Sequence, residues 1–150
     1  TFQVSGAPGG DYAPVDVNRE MLTDGYRYTV VVMREAEGSG FETRVLRDEI
    51  AADPNRAQVR VIHAAKGAGE VDVVLPGGDT LFEGVNYTSE AGFKAIDPWK
   101  GALEVRSEDG KRRLLSLPSI DFKGGSSYTI VVTRNEAGKL QSFWFEDTQG

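Results

Sequence analysis

The chain carries a single histidine, His63, and no cysteine. One imidazole cannot build an HExxH site or a multi-histidine zinc centre. Without a thiol there is neither a disulfide framework nor thiolate chemistry. His63 has the parity of Val59 and Val61 in an alternating segment, so it is expected to face inward at a strand end. The expected role is structural, with the imidazole satisfied by a neighbouring backbone group or carboxylate. Asp72, on the next strand, is the named partner, and the pair would fix the loop between them. A catalytic dyad lacks its nucleophile. Gly38-Ser39-Gly40 only loosely resembles Gly-x-Ser-x-Gly and lies in a hairpin loop, not before a helix.

The carboxylates are plentiful and scattered. Asp16-Val17-Asn18 and Glu146-Asp147 could each offer oxygen ligands, but neither has the dense alternation of a calcium loop. No metal site and no cofactor is expected. Gly67-Ala68-Gly69 precedes a strand, so it lacks the helix N-terminus of a phosphate cradle. Asn86-Tyr87-Thr88 has the pattern of a glycosylation sequon, idle in a bacterial protein. Tyr28 and Tyr128 each follow a turn and begin the strongest strands, as in a tyrosine corner, where the phenol caps a loop backbone. Their expected role is structural. Phe143 and Phe145 share a strand face and Trp144 takes the other, so one of these faces should be outward. Trp99 sits in a Pro-Trp-Lys turn. Exposed aromatics mark interfaces, and Trp99, Trp144 and Tyr87 are the candidate interface or ligand-stacking residues.

The elements that must position these residues are short strands. Gly and Pro punctuate the chain at close intervals, and no segment has a helical period. The strongest signal is an internal repeat. Gly25-Tyr26-Arg27-Tyr28-Thr29-Val30-Val31-Val32-Met33-Arg34 returns 100 residues later as Gly125-Ser126-Ser127-Tyr128-Thr129-Ile130-Val131-Val132-Thr133-Arg134. Gly38 still matches Gly138 and, after a one-residue insertion at Gly40, Asp48 matches Asp147. Such self-similarity marks duplicated units. Residues 57–99 have no earlier counterpart, so the chain reads as the back half of one module followed by one complete module.

The complete module is expected to have strands at 57–64, 71–75, 80–86, 92–96, 102–107, 112–117, 127–134 and 140–147. The half module should have strands at 1–5, 13–17, 26–34 and 41–48. Asp109-Gly110 is expected to turn a type I′ hairpin. Pro76-Gly77-Gly78-Asp79 and Glu136-Ala137-Gly138-Lys139 make further turns, and residues 50–56, with Pro54, form a linker.

The formal charge of −6 and the pI of about 4.8 argue against nucleic acid and anionic membrane as partners. The longest basic run, Lys111-Arg112-Arg113, lies beside Glu108 and Asp109 and reads as a solvated strand edge. No stretch is long and apolar enough for a transmembrane helix. The first residue is Thr1, which implies a removed leader or a fragment.

Val59-Arg60-Val61-Ile62-His63-Ala64-Ala65 followed by Val71-Asp72-Val73-Val74 resembles the opening of the DUF4397 family. Phe82-Glu83-Gly84-Val85 resembles its Leu-x-Gly-Val strand, and Asp97-Pro98-Trp99-Lys100-Gly101 its Pro-x-Gly turn. Lys123-Gly124-Gly125-Ser126-Ser127-Tyr128-Thr129-Ile130-Val131 resembles its Gly-x-x-Tyr-Thr-Val-Val strand. Lys66-Gly67-Ala68-Gly69 departs from a loop that is often Pro-rich in the family. The resemblance implies an all-β protein, with immunoglobulin-like antiparallel β-sandwich modules in tandem on bacterial secreted or envelope proteins. It carries over no catalytic residue.

Residues 1–49 are then the C-terminal half of a module, 50–56 a linker and 57–148 a complete module. Half a module buries too little surface to fold alone, and its open edge invites pairing. It could share the core of the complete module, pair with the half module of another copy, or be completed by residues preceding Thr1. The expected function is a non-catalytic, extracytoplasmic (periplasmic, cell-surface or secreted) β-sandwich protein serving assembly, adhesion or envelope structure. A protein partner or a homo-oligomer would form through the incomplete module. The alternative is a small-ligand or carbohydrate binding module that uses the exposed aromatics.

Overall fold

The computed structural model describes residues 2–5, 14–18, 21–38, 40–48, 51 and 53–147, with 2–5 and 14–18 described as backbone strands only. The described residues form fourteen strands and no helix. The chain divides into two compact units, Thr1–Asp48 and Glu49–Gly150.

In the first unit, β1 (Phe2–Ser5) pairs antiparallel with β2 (Pro14–Asn18), and β3 (Tyr28–Arg34) with β4 (Phe41–Arg47). The ladder of β3 and β4 runs from Tyr28 opposite Arg47 to Arg34 opposite Phe41. It is bracketed by the Asp48 N–H donating to the Arg27 carbonyl and the Glu35 N–H donating to the Gly40 carbonyl.

The second unit is an immunoglobulin-like β-sandwich. Its strands are β5 (Ala57–His63), β6 (Val71–Val74), β7 (Thr80–Val85), β8 (Glu90–Ile96), β9 (Trp99–Gly101), β10 (Glu104–Ser107), β11 (Arg113–Ser116), β12 (Ile120–Phe122), β13 (Ser127–Arg134) and β14 (Leu140–Asp147). One sheet has the order β14-β13-β5-β8, the other β11-β10-β6-β7, and β12 pairs with β9. The apolar alternation predicts the facing surfaces. Val59 and Val61 of β5 and Ile130 and Val132 of β13 meet Val73 of β6 and Val105 of β10 in one buried cluster.

Three features differ from the sequence reading. The sandwich is not wholly antiparallel, because β5 and β13 run parallel, with Val59 opposite Tyr128 and His63 opposite Val132. A tight turn enforces antiparallel neighbours, whereas strands joined by a long connection are free of that constraint. Strand β9 was read as part of a turn and β12 was not among the expected strands, and three residues each are too few to show a period. The hairpin of β10 and β11 forms, but Gly110 alone in its turn has positive φ. A type I′ turn needs two such residues. Here the Gly110 N–H donates to the Ser107 carbonyl at 2.7 Å, and the Asp109 carboxylate accepts from the Ser107 hydroxyl and the Lys111 N–H, which holds Asp109 outside the left-handed region.

Residues 53–56 form a turn seated on the segment before β13. The Asn55 N–H donates to the Asp53 carboxylate, and the Gly125 N–H donates to the Arg56 carbonyl at 3.0 Å. Gly124 lies so close that a Cβ there would strike the Pro54 carbonyl oxygen.

Candidate functional site

His63 is fully buried at the end of β5, and both of its ring nitrogens are occupied. Nδ1 accepts the Ala65 N–H at 3.2 Å and Nε2 lies 2.7 Å from the Gly69 carbonyl. This assigns the proton to Nε2 and makes the ring a neutral clasp on the loop 65–69. Burial lowers the His63 pKa, the Gly69 carbonyl opposes that shift, and the charge of Arg134 adds to it. Arg134 secures the same loop through Nε, which donates to the Lys66 carbonyl at 2.7 Å. The ring of Tyr87 meets His63 edge-on at 5.8 Å.

The expected pair of His63 with Asp72 does not form. Asp72 has the opposite parity to Val71 and Val73, so it leaves the core face that His63 occupies, and β6 belongs to the other sheet. The Asp72 carboxylate instead accepts the Gly84 N–H at 2.8 Å. Gly84 has φ of 61° at a point where the register of β6 and β7 shifts. Asp72 therefore holds a bulge that only glycine adopts without strain.

On the outer side of the sheet lies a group that the sequence reading missed. Arg60 alternates along β5 with the core residues Val59 and Val61, a pattern that assigns it to the other face, yet it is 0 % exposed. Its Nε donates to Thr129 Oγ1 at 2.8 Å, Thr129 Oγ1 donates to Asp147 Oδ2 at 2.9 Å, and the guanidinium lies 3.8 Å from Asp147 and 4.7 Å from the Phe93 ring centre. The repeat held the clue. In the first unit, Thr29 Oγ1 donates to Asp48 Oδ1 at 2.7 Å, the same pair of residue types at matching positions. Asp147 is thus engaged by Arg60 and Thr129, and no group of three or more metal-ligating side chains converges among the described residues. The Asp16 and Asn18 side chains and Ser39 lie outside the described residues.

The two tyrosines occupy equivalent places. Tyr28 Oη accepts the Thr23 N–H at 2.9 Å and Tyr128 Oη accepts the Lys123 N–H at 3.0 Å, each five residues upstream. Tyr128 Oη also donates to the Asp121 carbonyl at 3.1 Å.

The three proposed stacking residues do not make one platform. Trp99 stacks on Phe122 at 6.2 Å, Phe122 meets Tyr128 edge-on at 5.1 Å, and Tyr128 meets Trp144 at 6.1 Å. The tryptophans are the two flanks of one core aromatic chain. Trp144 therefore takes the inward side of β14, and Phe143, 50 % exposed, takes the outward one. The Trp99 ring folds over Gly101, where a Cβ would collide with the indole. Tyr87 sits beside His63, four residues along β5 from the level of Tyr128, or about 13 Å. A shallow cleft of about 410 Å³ borders Trp99, with Pro98, Lys100, Asp121 and Lys123 on its walls.

The largest contrast between the units lies in β3. Val30 and Val32 stand where Ile130 and Val132 stand in β13. Ile130 and Val132 are fully buried, whereas Val30 and Val32 are 39 % and 41 % exposed. Residues of core type, at core positions of the repeat, thus face outward.

A profile described as "Domain of unknown function (DUF4397)" matches residues 1–74 and again residues 57–150. The chain belongs to the DUF4397 family. The two matched stretches fit a partial copy of the DUF4397 domain followed by a complete one. No curated protein matches the chain in sequence. Among solved structures, the C-terminal domain of AlgF from P. aeruginosa is similar to this DUF4397 chain at 23% identity, over 61% of this chain and 98% of that one, with a TM-score of 0.47.

Proposed function

We propose that this chain is a non-catalytic assembly module that works outside the cytoplasm, and that residues 1–48 are its docking element. The observation that carries this reading is the exposure of Val30 and Val32 at positions whose counterparts in the complete module are core. Apolar side chains on an open strand favour burial by a partner, at about 25 cal/mol per Å² removed from water. The polar groups at the heart of the sandwich support a non-catalytic role. His63, Asp72 and Arg60 each bind backbone or side-chain groups that hold the fold. An extracytoplasmic setting follows the family resemblance, and no helix among the described residues is long and apolar enough to cross a membrane.

A photo-cross-linking residue at position 32, in the chain expressed in its own cells, tests the reading. An adduct with another polypeptide is expected there and not from position 132. No adduct at position 32, together with a monomeric mass of 16.3 kDa at all concentrations, would overturn it.

A further inference from the structure

The chain holds two Asp-Gly steps, Asp24-Gly25 and Asp109-Gly110, and the fold sets them up in opposite ways. An aspartate before glycine can cyclise, because the following nitrogen reaches the side-chain carboxyl and no Cβ stands in the way. At Asp24 the two reactants already meet. The Gly25 N–H donates to Asp24 Oδ1 at 3.0 Å, so the nitrogen lies beside the carboxyl carbon that carries this oxygen. Reacting atoms at about 3–3.5 Å are in near-attack geometry. Both residues are exposed, Gly25 has φ of 83°, and a Cβ placed on it would meet nothing within 4 Å. Asp109 stands instead in the tight hairpin of β10 and β11. There the Gly110 N–H is drawn to the Ser107 carbonyl at 2.7 Å. The Asp109 carboxylate accepts from the Ser107 hydroxyl at 2.6 Å and from the Lys111 N–H at 3.1 Å. The same bonds, that of the Ser107 hydroxyl first, hold the Asp109 carboxyl below its ordinary range, so its acid form is scarcer.

We infer that Asp24 is a site of spontaneous modification in the folded chain, converted through a cyclic imide to isoaspartate, and that the hairpin protects Asp109 from the same reaction. In the acid form of the side chain, the Gly25 nitrogen attacks the Asp24 carboxyl carbon. A C–N bond forms, the bond from that carbon to its hydroxyl breaks, and the proton of the nitrogen leaves with the hydroxyl as water. Water then reopens the imide. Cleavage of the new C–N bond restores aspartate. Cleavage of the original peptide bond leaves Gly25 attached through the side-chain carbon, which is isoaspartate. The product has the composition of the parent, and water is the only co-reactant. Its main chain is longer by a single carbon and carries a free α-carboxylate. That carbon enters the segment that the Thr23 N–H closes on Tyr28 Oη at 2.9 Å, in the approach to β3. The inference goes beyond the assembly reading and stands without it.

The test compares the two sites within the intact chain. One sample is kept folded at about pH 6, where ordinary aspartates retain a small protonated fraction, and a second is kept unfolded in urea at the same pH. Isoaspartate at each position is quantified over time by peptide mapping. In the folded chain it is expected to build up at position 24 about tenfold or more faster than at position 109, since only the first site has its reacting atoms in place. In urea both sites lose their turn bonds, and the two rates are expected to converge. Equal accumulation at the two sites of the folded chain overturns the inference. So does a preference for position 109, or the absence of isoaspartate at position 24 over a period that produces it in urea. An excess at position 24 that persists unchanged in urea also overturns it, because the neighbouring sequence then sets the rate and the turn geometry does not.

Discussion

At the scale of single residues, His63 ties the geometry of one loop to pH. Its folded-state pKa lies below the ordinary 6.5, chiefly because burial penalises the charged ring. The unfolded chain therefore binds the proton more tightly than the folded one. Stability is full above the ordinary value and is lost as pH falls through the folded one. Protonation at Nδ1 also removes the acceptor of the Ala65 N–H, so loop 65–69 loses a tether at the same time. Urea midpoints from about pH 7.5 down to about pH 5 are expected to decline in the native chain and to be flatter in His63→Gln, since carboxylates titrate mostly below that range. The tyrosines give a paired test. Tyr128→Phe strands the Lys123 N–H next to a buried ring and is expected to cost about 1–2 kcal/mol. Tyr28→Phe removes a bond exposed to water and is expected to cost less than about 1 kcal/mol. Both tyrosines were legible in the sequence, because the repeat shows the same turn and the same phenol twice. The clasp of His63 on the Ala65 N–H and the Gly69 carbonyl was not, because a sequence names side chains and conceals which backbone groups a loop presents. The burial of Arg60 was hidden for a related reason. Period-two alternation assigns it to the outer face, and the groups that cover that face, Phe93 and Asp147, come from strands distant in the chain.

At the scale of elements, β3, β5 and β13 were legible because each offers six or more residues of alternation, whereas β9 and β12 offer three. The parallel pairing of β5 with β13 left no local trace, since only a turn between neighbours writes strand direction into a sequence. The segment at 53–56 shows how an element can depend on one absent side chain. Gly124→Ala drives a methyl group into the Pro54 carbonyl and is expected to cost about 1–3 kcal/mol by thermal or urea unfolding. Gly92→Ala, in β8, meets nothing within 4 Å and is expected to stay within about 0.5 kcal/mol of the native chain. The repeat allows the same comparison on the strands themselves. Ile130→Ala opens a cavity in the sandwich core, at an expected cost of about 2–5 kcal/mol. Val30→Ala, at the equivalent place on β3, is expected to cost less than about 1 kcal/mol in the isolated chain. If the two costs are equal, Val30 is already covered in solution, and the docking surface is not available.

At the scale of the whole molecule, the two units should not melt as one. The first unit spans Thr1–Asp48 and exposes part of the strand face that the second unit buries. A chain of that size buries too small a fraction of its surface to be more than marginally stable alone. The positions of the tryptophans make this measurable without labels. Both, Trp99 and Trp144, belong to the second unit, and the first has none. Tryptophan fluorescence therefore follows the sandwich, whereas far-ultraviolet circular dichroism follows the strands of both units. In urea the dichroism is expected to begin falling at lower denaturant than the fluorescence moves, which is the signature of a transition that is not two-state. A partner that binds only the folded first unit, present at about 100 times its Kd, should stabilise that unit by about 2.7 kcal/mol. The early dichroism change then shifts toward the fluorescence transition, and the fluorescence midpoint stays where it was. Coincident transitions in the absence of any partner would show instead that the first unit is already complete, and the exposed valines would need another explanation.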